Sequence, residues 1–130
     1  MKLLSRESDY AVRALCLIGK KNRVVTVSEI TDELKIPGPF LRKILQTLGK
    51  KGFLESIKGK GGGFRLKRPL VKIALKELIE AFQGPVKFND CLFKKKICPR
   101  KASCVLKGRI GSIERDVVRK LESIMMDSLI

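Results

Sequence analysis

Cys91, Cys98 and Cys104 fall inside the fourteen-residue stretch CLFKKKICPRKASC. Lys94, Lys95, Lys96, Arg100 and Lys101 stand among them. Neighbouring cations favour the thiolate, which is the form that binds metal and attacks disulfides. The chain has no histidine, so the commonest nitrogen ligand is missing. Three thiols are also one short of the four that a thiolate-only metal site uses. In a chain with no sign of secretion, such a cluster points to metal or redox chemistry before a structural disulfide. Zinc held by three thiolates and a carboxylate, and a reversible disulfide between two of the thiols, are both open on these residues. The fourth cysteine, Cys16, lies far away in a helical pattern and reads as a small buried thiol.

The rest of the chain must position this cluster, and its charge says what it faces. Lys and Arg number 29 against 13 acidic residues, a formal net charge of +16 over 130 residues. Such an excess repels itself unless an anionic partner relieves it. Nucleic acid is the first expectation and a membrane surface the second. No apolar run approaches the roughly 18 residues of a membrane span. The opening MKLLSRESDY lacks a signal-peptide core. A cytoplasmic protein without membrane attachment is expected. The length suits one domain, or a small domain with an oligomerisation element.

The apolar periods give the elements. Residues 6–20 form a helix through Tyr10, Ala11, Ala14, Leu15 and Ile18. Thr26 and Glu29 make a capping box for a short second helix, buried through Ile30 and Leu34. KIPGPF breaks the chain, with Gly38 expected at the sharp turn and Pro39 at the first position of a third helix. Phe40, Leu41, Ile44, Leu45 and Leu48 turn inward there, leaving Arg42, Lys43 and Gln46 outside. FLESI and FRLKR read as two short strands around the tip KGKGGG. A further amphipathic helix, IALKELIEAFQG, ends at Gly84.

Two short helices across a tight turn, followed by a basic hairpin, spell a winged helix-turn-helix. The fold expected is mainly α with a small β-wing. The second helix of such a pair enters the major groove by its N-terminal half. Arg and Lys bond guanine acceptors there, and Gln pairs with adenine. Pro39, Arg42, Lys43 and Gln46 on the helix, with Lys58, Lys60 and Arg65 on the wing, are the candidate DNA contacts. The plainer alternative is a solvated helix face and an ordinary flexible turn. KGKGGG also resembles a phosphate-cradling loop, but no GK[ST] follows it. With no histidine and no paired carboxylates around a nucleophile, an enzyme is not expected.

From about residue 100 to 128, Leu106, Ile110, Ile113, Val117, Leu121 and Ile124 recur in steps of four and three. A helix that long would measure about 42 Å, more than one small domain covers. It is expected to join two copies in a homodimer, the alternative being that it wraps back on its own core. A two-fold dimer reads a roughly palindromic operator on double-stranded DNA. The organisation expected is residues 1–84 as the DNA-binding domain, 85–105 as the cysteine loop and 100–130 as the dimerisation helix.

The run ITDELKIPGPFLRKILQTLGKKGFLESIKGKGGGFRL followed by CLFKKKICPRKASC resembles the Rrf2 family of bacterial winged-helix regulators, over nearly the whole chain. The resemblance implies that Cys91, Cys98 and Cys104 hold an iron–sulfur cluster, 2Fe–2S or 4Fe–4S, that reports iron, redox state or nitric oxide. In one branch a histidine three residues past the last cysteine completes the site, but here that residue is Lys107. In the nitric-oxide-sensing branch an aspartate of the first helix completes it across the dimer, and DYAVR puts Asp9 at that place. Asp90, Glu7, a water or a small thiol compete with Asp9. The family also contains cluster-free regulators controlled by a partner protein, so a cluster-free or zinc-containing regulator is the alternative.

Overall fold

The computed structural model describes residues 3–88 and 105–130. Helix α1 spans Arg6–Lys21, capped by Ser5, whose Oγ accepts from the Ser8 amide at 3.1 Å. Its inner face is small near the start and larger further on: Ser8, Ala11, Ala14, Leu15 and Ile18 are buried. Helix α2 covers Val27–Leu34. Its capping box closes as the sequence reads: Thr26 Oγ1 accepts from the Glu29 amide at 3.1 Å, and Glu29 accepts from the Thr26 amide at 3.4 Å.

The turn after α2 differs from expectation. Lys35, not Gly38, takes the left-handed conformation, at φ 56°, and its amide donates to Thr31 O. Such a residue closes a helix by satisfying a late carbonyl. Pro37 then stands at the N-cap, and Gly38 is already the first residue of helix α3, Gly38–Lys50. Leu41, Ile44, Leu45 and Leu48 of α3 are buried.

Strands β1 (Leu54–Ile57) and β2 (Gly63–Leu66) pair antiparallel, from Leu54↔Leu66 to Ile57↔Gly63. A third participant was not expected: Val25, just before α2, exchanges both backbone hydrogen bonds with Phe64, at 2.8 and 2.9 Å. Gly63 makes this approach possible. It sits at φ +153°, and a Cβ there would lie 2.3 Å from Val25 O. The hairpin is thereby fastened to the start of α2 as well as to the end of α3.

A short 3₁₀ turn at Leu70–Lys72 leads to helix α4, Leu75–Gln83, ended by Gly84. Helix α5 spans Val105–Ser123. It stops five residues before the end expected from its apolar period. The chain leaves the helix to pair with the segment before α4: Ile124 O accepts from the Leu75 amide, and the Met126 amide donates to Ile73 O, each at 2.8 Å. The first bond satisfies a donor that α4's first turn leaves open. The second seats Met126 fully in the core. A 3₁₀ turn, Met126–Leu129, closes the chain. The core joins α1, α3 and the entry to β1, through Leu15, Leu41, Leu45, Leu48 and Phe53, with Leu78 of α4. Among the described residues no helix is long and apolar enough to cross a membrane.

Candidate nucleic-acid interface

Burial of four residues on one side of α3 fixes what the other side presents. Pro39, Arg42, Lys43 and Gln46 are all exposed. The helix is anchored to α1 near its start and braced on its own backbone further along. Near its start, Phe40 meets Tyr10 of α1 edge-on, with ring centroids 5.6 Å apart and planes at 90°. Midway, Thr47 turns its hydroxyl back to Lys43 O at 3.0 Å. The outward stripe also runs on to Lys50, which sequence reading passed over because it stands among the glycines that end the helix.

Lys58 and Lys60 are exposed at the hairpin tip, where Gly59 and Gly61 adopt positive φ of 93° and 78°. Only small, left-handed-tolerant residues hold so tight a tip. Arg65 is placed differently from the lysines. Its Nε donates to Glu55 Oε2 at 2.9 Å across the hairpin. Arg65 thus braces the wing, and it meets a phosphate only by sharing or leaving that partner.

The charge around this surface is one-sided. Between Glu33 and Glu55 the sequence carries no carboxylate, while Lys35, Arg42, Lys43, Lys50 and Lys51 fall there. Apart from Glu55–Arg65 on the wing, the ion pairs seen here lie off this surface: Asp9–Arg13, Lys21–Glu33, Arg23–Glu29, Arg68–Glu77, Lys76 with Glu80 and Glu122, Lys87–Glu114, and Asp116–Arg119. The largest electrostatic perturbation is in one of these pairs, beside α2. Hydrogen bonding to Arg23, then to the Thr26 amide, lowers the Glu29 carboxyl to about 2.

Cys91, Cys98 and Cys104 lie outside the described residues, as do Asp90, the expected cysteine loop beyond residue 88 and residues 100–104 of the expected last helix. Among the described residues, no group of three or more His, Cys, Asp or Glu stands ready to hold a metal. Asp9 is in the first turn of α1, its side chain 38% exposed, accepting from Arg13 Nε at 3.1 Å. It is thus an accessible carboxylate with a single side-chain partner. Three thiols from one segment, with an exposed carboxylate on another element, make a donor set that suits an iron–sulfur cluster or zinc. Cys16 is half-buried in α1, and desolvation raises its thiol pKa, which keeps it protonated and poorly suited as a ligand.

Two side chains that no sequence pattern marked hold the approach to the cysteine segment. The Gln83 amide spans the end of α4 and the start of the chain: Oε1 accepts from the Ser5 amide at 2.7 Å, and Nε2 donates to Leu3 O at 3.1 Å. Glu114 of α5 accepts from the Phe88 amide at 3.1 Å.

On α5, Leu106 and Ile113 are 68% and 51% exposed, and Ile110 and Val117 are partly buried. Leu121 is buried within its own chain, and Ile124 lies past the helix end. The apolar stripe therefore divides: its C-terminal part serves the chain's own core, and its N-terminal part is left uncovered.

Helices α2 and α3 across a tight turn, with a hairpin fastened behind them and a carboxylate-free outer face, define a winged helix-turn-helix transcriptional regulator. The chain belongs to the Rrf2 family, whose profile, described as "Iron-dependent Transcriptional regulator", matches residues 4–130. It is 39% identical over 90 residues to an Aquifex aeolicus (strain VF5) protein named as an HTH-type transcriptional regulator, an alignment covering 68% of this chain and 62% of that protein. It is 26% identical over 130 residues to the HTH-type transcriptional regulator NsrR of Shouchella clausii (strain KSM-K16), covering 98% and 87% of the two chains. Its fold is that of CymR, the global cysteine regulator of B. subtilis, at a TM-score of 0.79 and 21% identity, covering 99% and 96%. These relatives are regulators of transcription and not enzymes.

Proposed function

We propose that this chain is a cytoplasmic, dimeric, sequence-specific DNA-binding regulator in which Cys91, Cys98 and Cys104 hold an iron–sulfur cluster, 2Fe–2S or 4Fe–4S. Asp9 of the partner subunit is the fourth ligand in this reading. The observation that carries it is the donor set: three thiols inside one cationic segment, in a family described as iron-dependent. Bound there, the cluster would supply a centre sensitive to iron, redox state or nitric oxide. The surrounding lysines and arginines favour thiolate over thiol and offset the charge of an anionic site. Asp9 would exchange Arg13 for the metal, so loading the site would draw on the first turn of α1. Tyr10 follows Asp9 directly and rests on Phe40, which ties that turn to the start of α3.

The uncovered Leu106 and Ile113 support dimerisation through the N-terminal part of α5. A two-fold dimer presents two copies of α3 to a roughly palindromic operator. Arg42, Lys43 and Gln46 would read base edges, with Pro39 at the helix entrance, while Lys58, Lys60 and, on release from Glu55, Arg65 would meet phosphates.

The competing reading is a cluster-free or zinc-containing regulator governed by thiol oxidation or a partner protein. It draws on the same cysteines, which number three and not four. Iron and sulfide analysis of anaerobically purified and reconstituted protein separates the two. Stoichiometric iron with visible absorbance is expected, and colourless, iron-poor protein after reconstitution would remove the cluster. Asp9→Ala is expected to make the cluster labile while the dimer stays intact. An unaltered cluster in that variant takes Asp9 off the ligand set.

A further inference from the structure

The outward stripe of α3 has one member with no role in that reading. Pro39, Arg42, Lys43, Gln46 and Lys50 recur in steps of three, one, three and four, so they share one helix face. All five are exposed, and Lys50 has no ion-pair partner among the described residues. Lys50 stands one turn, about 6 Å, past Gln46, and the stripe from Pro39 to Lys50 is about 16 Å long. The major groove is about 12 Å wide. A helix that enters by its N-terminal half has its C-terminal end rising out of the groove toward the sugar–phosphate wall.

Helix-end chemistry offers a plainer explanation, since a lysine in the last turn complements the helix dipole. That alone does not account for the absence of any carboxylate from Lys35 to Leu54. Elsewhere on this chain Arg13 of α1, Arg65 of β2 and Arg119 of α5 each pair with an acid in their own neighbourhood.

We propose that Lys50 is a phosphate clamp at the far edge of the recognition helix, binding the DNA backbone without regard to sequence. The inference rests on the DNA-docking reading above and adds a residue and a contact class to it. A lysine on a phosphate releases condensed counterions, so the contact is read in the salt dependence of binding.

The test measures affinity for a mixed-sequence duplex across a salt series, with wild type, Lys50→Ala and Lys120→Ala. Lys120 is an exposed lysine of α5, so its variant removes the same charge away from α3. Lys50→Ala is expected to make the slope of log affinity against log salt shallower by about 0.9, and Lys120→Ala to leave it unchanged. Equal slopes for Lys50→Ala and wild type, or equal changes in both variants, overturn the clamp while leaving DNA docking in place. A wild-type chain that retains no duplex at low salt removes the docking reading, and the clamp with it.

Discussion

Arg42 and Lys60 each carry one positive charge, yet the proposed DNA docking gives them different work. Arg42 stands on a helix face held by four buried neighbours, so its guanidinium has a fixed base from which to address a base edge. Lys60 stands exposed on a glycine-rich tip and offers an ammonium suited to phosphate. Arg42→Ala is therefore expected to relax base preference at one operator position by about 1–3 kcal/mol, and Lys60→Ala to weaken binding evenly across sequences. Binding measured on a set of single-base operator variants, at one stated salt concentration, distinguishes them. Identical profiles for the two variants would mean that the groove-reading face is misplaced. The outward side of α3 was legible because its apolar residues repeat with the helical period. The commitment of Arg65 to Glu55 was not, because a cross-strand pair depends on register, and register depends on where the hairpin turns. Neither could the Gln83 clasp be read, since it joins residues about eighty positions apart.

Helix α2 shows how a local signal and a distant one combine in a single element. The capping box was legible from Thr26 and Glu29 alone. Arg23, which adds two bonds from its guanidinium to the same Glu29 carboxylate at 3.1 and 2.6 Å, was not. Arg23 holds this carboxyl at about 2, below its ordinary 4.5. A depressed folded-state value means that the contribution is complete above about 4.5 and is lost as pH falls through about 2. Glu29→Gln keeps an oxygen for the Thr26 amide but gives up the charge. Urea unfolding should find wild type more stable than Glu29→Gln at neutral pH, with the gap closing as pH falls through about 2. A gap of undiminished size at the acidic end would show that the charge pair is not its source. The end of α5 illustrates the opposite case. Its apolar period continues through Ile124, but the Leu75 amide at the start of α4 and the Ile73 carbonyl just before it draw the chain out of the helix after Ser123. Tertiary hydrogen bonding outweighed periodicity there.

As a whole molecule, the chain commits the C-terminal part of its last helix to its own core and leaves the N-terminal part uncovered. Leu121 closes its own core, whereas Ile113 faces outward from the same helix. Ile113→Lys is expected to shift sedimentation from dimer to monomer without changing the far-ultraviolet circular dichroism. A variant that remains dimeric would place the subunit contact elsewhere, and Leu121→Lys would be uninformative because it would also disturb the fold. The winged-helix plan was legible almost throughout, since each helix announces itself by its apolar period and α2 by its capping box as well. The Val25–Phe64 pairing that unites wing and helix was hidden, because a single bridged residue leaves no alternating pattern.

The surface free of carboxylates from Lys35 to Leu54 also has a consequence at the bench. It offers any cellular polyanion a binding track with no repulsive charge to loosen it, so freshly lysed preparations should carry RNA and DNA fragments through a first column. The chain has no tryptophan and one tyrosine, so its own ultraviolet absorbance is faint and even a small passenger would dominate the spectrum. A high-salt wash before quantification is what makes a metal-to-protein ratio interpretable for this molecule.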